Sequence, residues 1–441
     1  MDISVGFWLI AILLFGIMIG LPVALALITS SLIGIAAMRS PELAGRFLAA
    51  AANDSVNDYL FGVIPLFVLM GMIVSASGMG RDTFDVFESL LRRLSGGLGV
   101  ATVAANTVFA AITGVSIASA AVFSKIAVPE MRRHGYSAEL AVGTVAGSSV
   151  LGMLIPPSLL LIVYGIIAEE SIGRLFLAGL LPGALLALIF AAIILITARL
   201  RPGSVGQRAD GAPLPENAAL PPRMSGPTLL AKIAPMLILI LLVLGGIYSG
   251  KFSPTEAGAV GVAGALVIAL LRRSLGPRSL WRLSMETGSI NVSILFLIIA
   301  ATLYSRALSL SGLPASVADG ITALNLGYVG FLICYVAILL VLGCFIDSVS
   351  ILLIVIPIML PVIEGMGLDP IWFGIVSIVS IEVGLLTPPF GLSAFVVKSS
   401  LNDPDLTLGT IFRGAFPFLL GMLLLVAILA VFPQIALVLA R

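Results

Sequence analysis

Two sets of oxygen-bearing side chains interrupt an otherwise apolar sequence: Thr113, Ser116, Ser119, Ser148 and Ser149, then Asp347, Ser348, Ser350, Glu382 and Thr387. The first set offers only neutral oxygens, and the second adds two carboxylates. Hard oxygen ligands, with no Cys or His among them, suit a small alkali cation such as Na⁺ better than a transition metal. Each set falls where a helix cannot continue. Residues 113–116 and 346–350 read as turns, and 147–157 ("GSSVLGMLIPP") and 380–389 ("SIEVGLLTPP") each end in a Pro-Pro pair. Proline removes a helix donor and clashes with the preceding turn, so a mid-helix pair ends one half-helix and begins another. The freed carbonyls and half-helix N-termini are then available to ions, cations at the former and anions at the latter.

Serine and threonine also pack helices together by bonding back to their own carbonyls, so each neutral residue carries that plainer reading as well. Asp347 ranks first as a functional residue, because an acid at a turn deep in hydrocarbon costs roughly 2.5–3.5 kcal/mol on insertion scales. Glu382 ranks second, since it has the alternative of pairing with a neighbouring helix. Ser119 and Ser350 within the two sets, Pro157 and Pro389 beside them, and Lys125 and Arg306 within apolar stretches, are candidates for contacting a carboxylate solute. Snorkelling to the interface is the simpler reading of that Lys and Arg.

The elements that hold these residues must be membrane helices. Of the 441 residues 60% are hydrophobic and only 10% charged, against about 25% charged in soluble domains. Stretches 7–38 and 233–250 carry almost no charge over about 18 residues or more, enough to cross roughly 30 Å of hydrocarbon as helix. The first run is too long, and its start too poor in basic residues, for a cleaved signal peptide, and it is read as mature structure. A net charge of +1 argues against a nucleic-acid partner, which needs clustered basic residues in excess. Cys334 and Cys344 read as packed free thiols. His134, the sole histidine, follows Arg132 and Arg133 and reads as a solvated loop residue, since a metal site needs convergent partners that the sequence does not display.

The chain also repeats itself. Ser116, Pro129, Gly135, Gly152, Leu154, Pro156 and Pro157 match Ser348, Pro361, Gly367, Gly384, Leu386, Pro388 and Pro389 without a gap, each 232 residues later. The segment 199–228, rich in Pro, Gly and charge, reads as a cytoplasmic linker between halves. Basic loops stay cytoplasmic, and the loop after Pro129 is basic (Arg132, Arg133) whereas the one after Pro361 is acidic (Glu364, Asp369). That is the pattern of an inverted repeat. Threading the chain accordingly gives spans near 5–20, 22–37, 59–78, 138–168 and 173–198, then 233–250, 255–271, 288–310, 371–398 and 411–440. Re-entrant hairpins lie at 97–128 and 326–363. The expected fold is an all-α polytopic membrane protein of two inverted repeats, with ten transmembrane helices and two hairpins.

At these residues the sequence resembles the large membrane subunit (M subunit) of tripartite ATP-independent periplasmic, or TRAP, transporters, within the ion transporter superfamily. The segments that carry the resemblance are "GGIYSGKFSPTEAGAV" (245–260), "VPEMRRHGYSAELA" (128–141), "GSSVLGMLIPPSLLLIVYG" (147–165), "CFIDSVSILLIVIPIMLPV" (344–362) and "GLLTPPFG" (384–391). It implies a multi-pass protein of the bacterial inner membrane that works with a small four-helix membrane subunit and a periplasmic substrate-binding protein. It further implies Na⁺-driven uptake of an organic acid, such as a C4-dicarboxylate, keto acid or sugar acid, by an elevator motion and without an organic cofactor. The family's ion sites carry over to Thr113, Gly114, Ser116, Ser148, Ser149 and Gly152, and to Asp347, Ser348, Glu382, Gly384 and Thr387. Scaffold parts are expected at 1–56 and 229–286, and transport parts at 57–198 and 287–441. Each transport part holds one hairpin and one broken helix (138–168, 371–398). Two alternatives remain open. One is a stand-alone Na⁺/carboxylate symporter of the same superfamily. The other is an intramembrane aspartyl protease using Asp347 and Glu382, for which the duplicated breaks have no evident use. No HExxH or GxSxG motif suggests other enzymes.

Overall fold

Ser40, Asp58, Ser137, Ser158 and Ser171 each place a side-chain oxygen on a helix N-terminus, and such caps, with glycines between them, divide the first half into its elements. The computed structural model describes residues 3–205, 224–323, 327–389, 391–401 and 403–440, and is helical with no strand among them. Most of the expected linker, 206–223, lies outside the described residues. Helices α1 (Ile3–Met18) and α2 (Val23–Met38) meet at Gly20 (φ +91°) and Pro22. The polar α3 (Pro41–Asn57) is stopped by Asp58, whose carboxylate accepts from Leu60 N at 2.8 Å, and the apolar α4 (Val63–Ala76) follows. After α5 (Met79–Leu91) the chain forms a hairpin of α6 (Gly97–Thr113) and α7 (Ser116–Arg133). An interrupted path of α8 (Ala138–Ser149), α9 (Leu151–Leu154) and α10 (Leu159–Ile167) then leads to the long α11 (Ile172–Leu200).

The second half repeats the order. Helices α12 (Gly226–Tyr248) and α13 (Pro254–Leu271) are followed by α14 (Pro277–Ser311) and α15 (Leu313–Ala323). A second hairpin, α16 (Gly327–Gly343) and α17 (Ser348–Gly365), precedes a second interrupted path, α18 (Pro370–Leu385) and α19 (Leu392–Leu401). The chain closes with α20 (Leu408–Val431) and α21 (Gln434–Leu437). Element starts recur at the spacing of the sequence repeat: α7 and α17 begin at Ser116 and Ser348, α8 and α18 at Ala138 and Pro370. Both Pro-Pro bonds, 156–157 and 388–389, are cis.

The halves differ at one place with a clear cause. Asp58 ends α3, but its counterpart in the repeat is Ile290, which offers no cap, so α14 continues for 35 residues. At 1.5 Å per residue that is about 52 Å. The sequence-based division between 286 and 287 therefore falls inside one continuous helix. Helix α4, grouped from the sequence with the first transport part, packs most closely on α13 and to a similar, lesser extent on α14 and on the hairpin helix α6.

Among the described residues eight helical stretches, with 59–76 and 138–167 each taken as one, are long and apolar enough to cross a bilayer. The 16-residue α1 and α2 reach only about 24 Å as helix, less than a hydrocarbon core of roughly 30 Å. Large apolar side chains are exposed along α11, α12 and α16, among them Leu188, Leu241 and Ile333, as expected where the solvent is lipid. Helices α2, α3 and α4 pack on α14, while α8 packs on α20 and α16 on α18, so the breaks lie within the helical mass.

Candidate functional site

The first hairpin turns on Gly114, whose φ of +62° is a conformation that favours glycine. Its carbonyl accepts from Leu159 N at 3.1 Å, and a Cβ placed on it would stand 2.4 Å from the Pro157 carbonyl oxygen. Gly152 faces the same turn, since a Cβ there would meet the Val115 carbonyl carbon at 3.2 Å. The hairpin tip and the Pro-Pro break are therefore in direct contact, and residues that side chains normally separate approach backbone to backbone. Ser158 completes the junction by capping α10 while donating to the Met153 carbonyl.

Buried oxygen atoms gather here. The Ser116 and Ser119 hydroxyls are fully buried and have no hydrogen-bond partner. Asn106, on α6, donates from Nδ2 to Ser148 Oγ at 2.8 Å, and its Oδ1 is buried without a partner. Thr113 and Ser149 donate back to Phe109 O (3.1 Å) and Ala146 O (2.8 Å). A hydroxyl that donates keeps its lone pairs, so these two can still face a cation. Asn106 was not singled out in the sequence, although an amide inside the apolar stretch "VAANTVFAA" is the available signal. A cavity of about 400 Å³ adjoins the tip, lined by Gly71, Thr113, Val115, Leu159 and Glu286 among others.

At the second tip the two carboxylates play different parts. Asp347 is exposed and caps α17, with Oδ1 accepting from Ser350 N at 3.1 Å and Oδ2 from Ser350 Oγ at 2.5 Å. Glu382 is 0% exposed; Ser348 Oγ donates to its Oε1 at 2.8 Å, and its Oε2 has no partner. Burial sets the two acids apart, because leaving an ionised carboxylate sealed and unpaired costs several kcal/mol. A cation or a proton at Oε2 removes that cost. Glu382 is brought to Ser348 by a close helix crossing: a Cβ on Gly343 would lie 2.6 Å from Gly384 Cα. Gly384 thus has a packing role, whereas Thr387 donates to Val383 O at 2.7 Å and Cys344 Sγ donates to Pro388 O at 3.4 Å.

Of the remaining candidates, Arg306 and Lys125 do not gather at either tip. Arg306 donates to Asp54 on α3 at 2.7 Å, so its guanidinium is engaged within the helical frame. Lys125 is exposed on α7, in the manner of a snorkelling lysine, and Pro389 is exposed beside its cis bond. Pro157 touches the tip through its carbonyl, and Ser350 serves Asp347.

Comparison with known proteins covers almost the full length. A family model described as "Tripartite ATP-independent periplasmic transporter, DctM component" matches residues 7–435. The chain is 35% identical over 398 residues, 89% of each protein, to the C4-dicarboxylate TRAP transporter large permease protein DctM of Pseudomonas aeruginosa. It is 29% identical over 421 residues, 95% of each, to the sialic acid TRAP transporter large permease protein SiaM of Vibrio cholerae. Among solved structures it is similar to the YdaH transporter of Alcanivorax borkumensis, with a TM-score of 0.63, 16% identity and 89% of each chain covered. At that identity the likeness concerns the fold.

Proposed function

Since this chain belongs to the DctM component family of the tripartite ATP-independent periplasmic transporters, as a large permease subunit, we propose that it moves an organic acid inward across the bacterial inner membrane, driven by Na⁺. The observation that carries the coupling is Glu382: fully buried, bonded to Ser348 at the second hairpin tip, with one oxygen left for a cation. Ser116, Ser119, Ser148 and Asn106 Oδ1 supply the neutral counterpart at the first tip. Each Na⁺ that enters down the membrane potential contributes roughly 2.3 kcal/mol per 100 mV, and several per dianion leave net inward charge.

An organic-acid solute is supported by the two relatives above, whose names specify C4-dicarboxylate and sialic acid, both carboxylates. The cavity at the first tip is where such a solute would meet the scaffold helix α14 and the hairpin together. We take the 232-residue repeat as two halves of opposite orientation, with ten spans and two hairpins, and the motion as an elevator in which the hairpins and broken helices slide against α1–α3 and α12–α14. A small membrane subunit and a periplasmic binding protein complete the system.

The test is uptake into proteoliposomes holding the purified chain with its candidate membrane subunit and binding protein, under an imposed Na⁺ gradient. Glu382→Gln should fold and assemble normally yet lose Na⁺-dependent uptake by at least roughly tenfold, as for loss of a charged ligand from a buried site. Undiminished uptake in that variant, or uptake equal with and without Na⁺ in the unmodified protein, rejects the coupling. Uptake without the binding protein would instead favour a self-sufficient symporter.

A further inference from the structure

At the far end of the first hairpin from its tip, three side chains from two helices converge outside the site described above. Glu88 on α5 meets Glu130 and His134 at the end of α7, and one ligand atom from each lies within 4.8 Å of the others. The sole histidine therefore has the convergent partners that its sequence neighbourhood hides, and it is half-buried instead of freely solvated. We propose that Glu88, Glu130 and His134 form a binding site for one divalent transition-metal ion of the Zn²⁺ type.

The donor set fits that chemistry. One imidazole and two carboxylates make a borderline N/O set of the sort Zn²⁺ accepts, with an open position for water. Tetrahedral donors about 2.1 Å from an ion stand roughly 3.4 Å apart, so closing this cluster on an ion requires side-chain adjustments on the order of 1 Å. With Nδ1 2.9 Å from the Glu130 carbonyl oxygen, which can only accept, His134 carries its proton on Nδ1 and its lone pair on Nε2; the Glu130 carboxylate, 3.5 Å from Nδ1, has to swing to the Nε2 side to share an ion. A ring N–H held by a backbone carbonyl is the usual support of a metal-bound histidine. The cluster is also reachable, because Glu88 and His134 line a cavity of about 240 Å³ with Arg92, Gly96, Leu98 and Tyr136.

Charge within the cluster is unevenly met. Burial, then the nearby Glu130 carboxylate, raises the Glu88 pKa above the usual carboxylate range, and His134 and Arg92 oppose that rise. Arg133 reaches Glu130 at 3.4 Å from a largely exposed position and is the main rival for that carboxylate, with His134 Nδ1 at 3.5 Å. A divalent ion would satisfy both acids at once. It would tie α5, which leads into the hairpin, to the end of α7, which leaves it. The loop beyond is already fastened, since Tyr136 OH accepts from Leu98 N (3.2 Å) and Gly99 N (3.4 Å) at the start of α6.

The experiment needs no transport and is independent of the proposed function. Zn²⁺ is titrated calorimetrically into the purified full-length chain, free of any polyhistidine tag and stripped with chelator, and Co²⁺ is followed by its visible absorption. One ion per chain is expected, with His134→Ala and Glu88→Gln each weakening binding by at least roughly tenfold. Arg133→Gln should bind equally or more tightly. The conservative Glu88→Gln keeps the test decisive if His134→Ala fails to fold. Absence of saturable binding, binding unchanged in both ligand variants, or loss in Arg133→Gln alone would overturn the site.

Discussion

A carboxylate at an exposed helix N-terminus and one sealed among apolar side chains respond differently to neutralisation, and the second hairpin has one of each. Asp347 caps α17 through two bonds from Ser350, a role that Asn can fill as well as Asp. Asp347→Asn should therefore melt like the unmodified protein, whereas Asp347→Ala should lose about 1 kcal/mol of stability. If the charge also serves the ion site, both variants lower Na⁺-dependent uptake; an Asn variant with unchanged uptake would confine Asp347 to capping. Glu382 is legible in the sequence as an acid in an apolar run, but its depth is not. Burial depends on Ser348 and on the Gly343–Gly384 crossing, which brings together residues far apart in sequence. The surroundings of Asn106 and His134 are hidden from the sequence for the same reason. The amide needs Ser148, 42 positions away, and the imidazole needs Glu88 on another helix.

At the level of the elements, punctuation by proline and glycine is local and was read well: both hairpin turns and both Pro-Pro breaks lie where the sequence puts them. From Pro277 the polar stretch runs on into the span beyond as one helix. Arg278, Arg282 and Glu286 suggest a polar connector, yet at four-residue spacing they share one exposed helix face, with Leu283 and Thr287 buried on another. Composition alone cannot separate an amphipathic first third of a long helix from a loop. The contact between tip and break yields a sharper expectation. Gly114→Ala places a side chain at φ +62° and against the Pro157 carbonyl, which should cost at least about 1–2 kcal/mol from the backbone alone. Gly245→Ala, where an added Cβ meets nothing within 4 Å, should be neutral or stabilising by up to about 1 kcal/mol. Thermal melts of the detergent-solubilised variants check both, and equal melting temperatures would refute the distinction.

For the whole molecule, opposite orientation of the halves is tested by labelling from either side of the membrane. Cys334 and Cys344 are first replaced, since Cys334 is exposed. Arg133→Cys and Gly365→Cys should then react with an impermeant thiol reagent from opposite sides, and Gly365 has room for the new side chain. Reaction from one side only would reject the inverted arrangement and with it the proposed motion. The halves are also fastened by charge where Lys232 meets Asp82 (3.3 Å) and Asp85 (2.5 Å) and Arg272 meets Asp82, joining α5 to α12 and α13. The uninterrupted α14 bears on this scale most of all. Its first turns carry Arg278, Trp281 and Arg282 at the surface, groups that settle among headgroups, while its apolar remainder must stay in hydrocarbon. One stiff rod with a wet end and an oily end fixes the waterline of the subunit, a depth gauge set by the bilayer itself against which the proposed sliding would be measured.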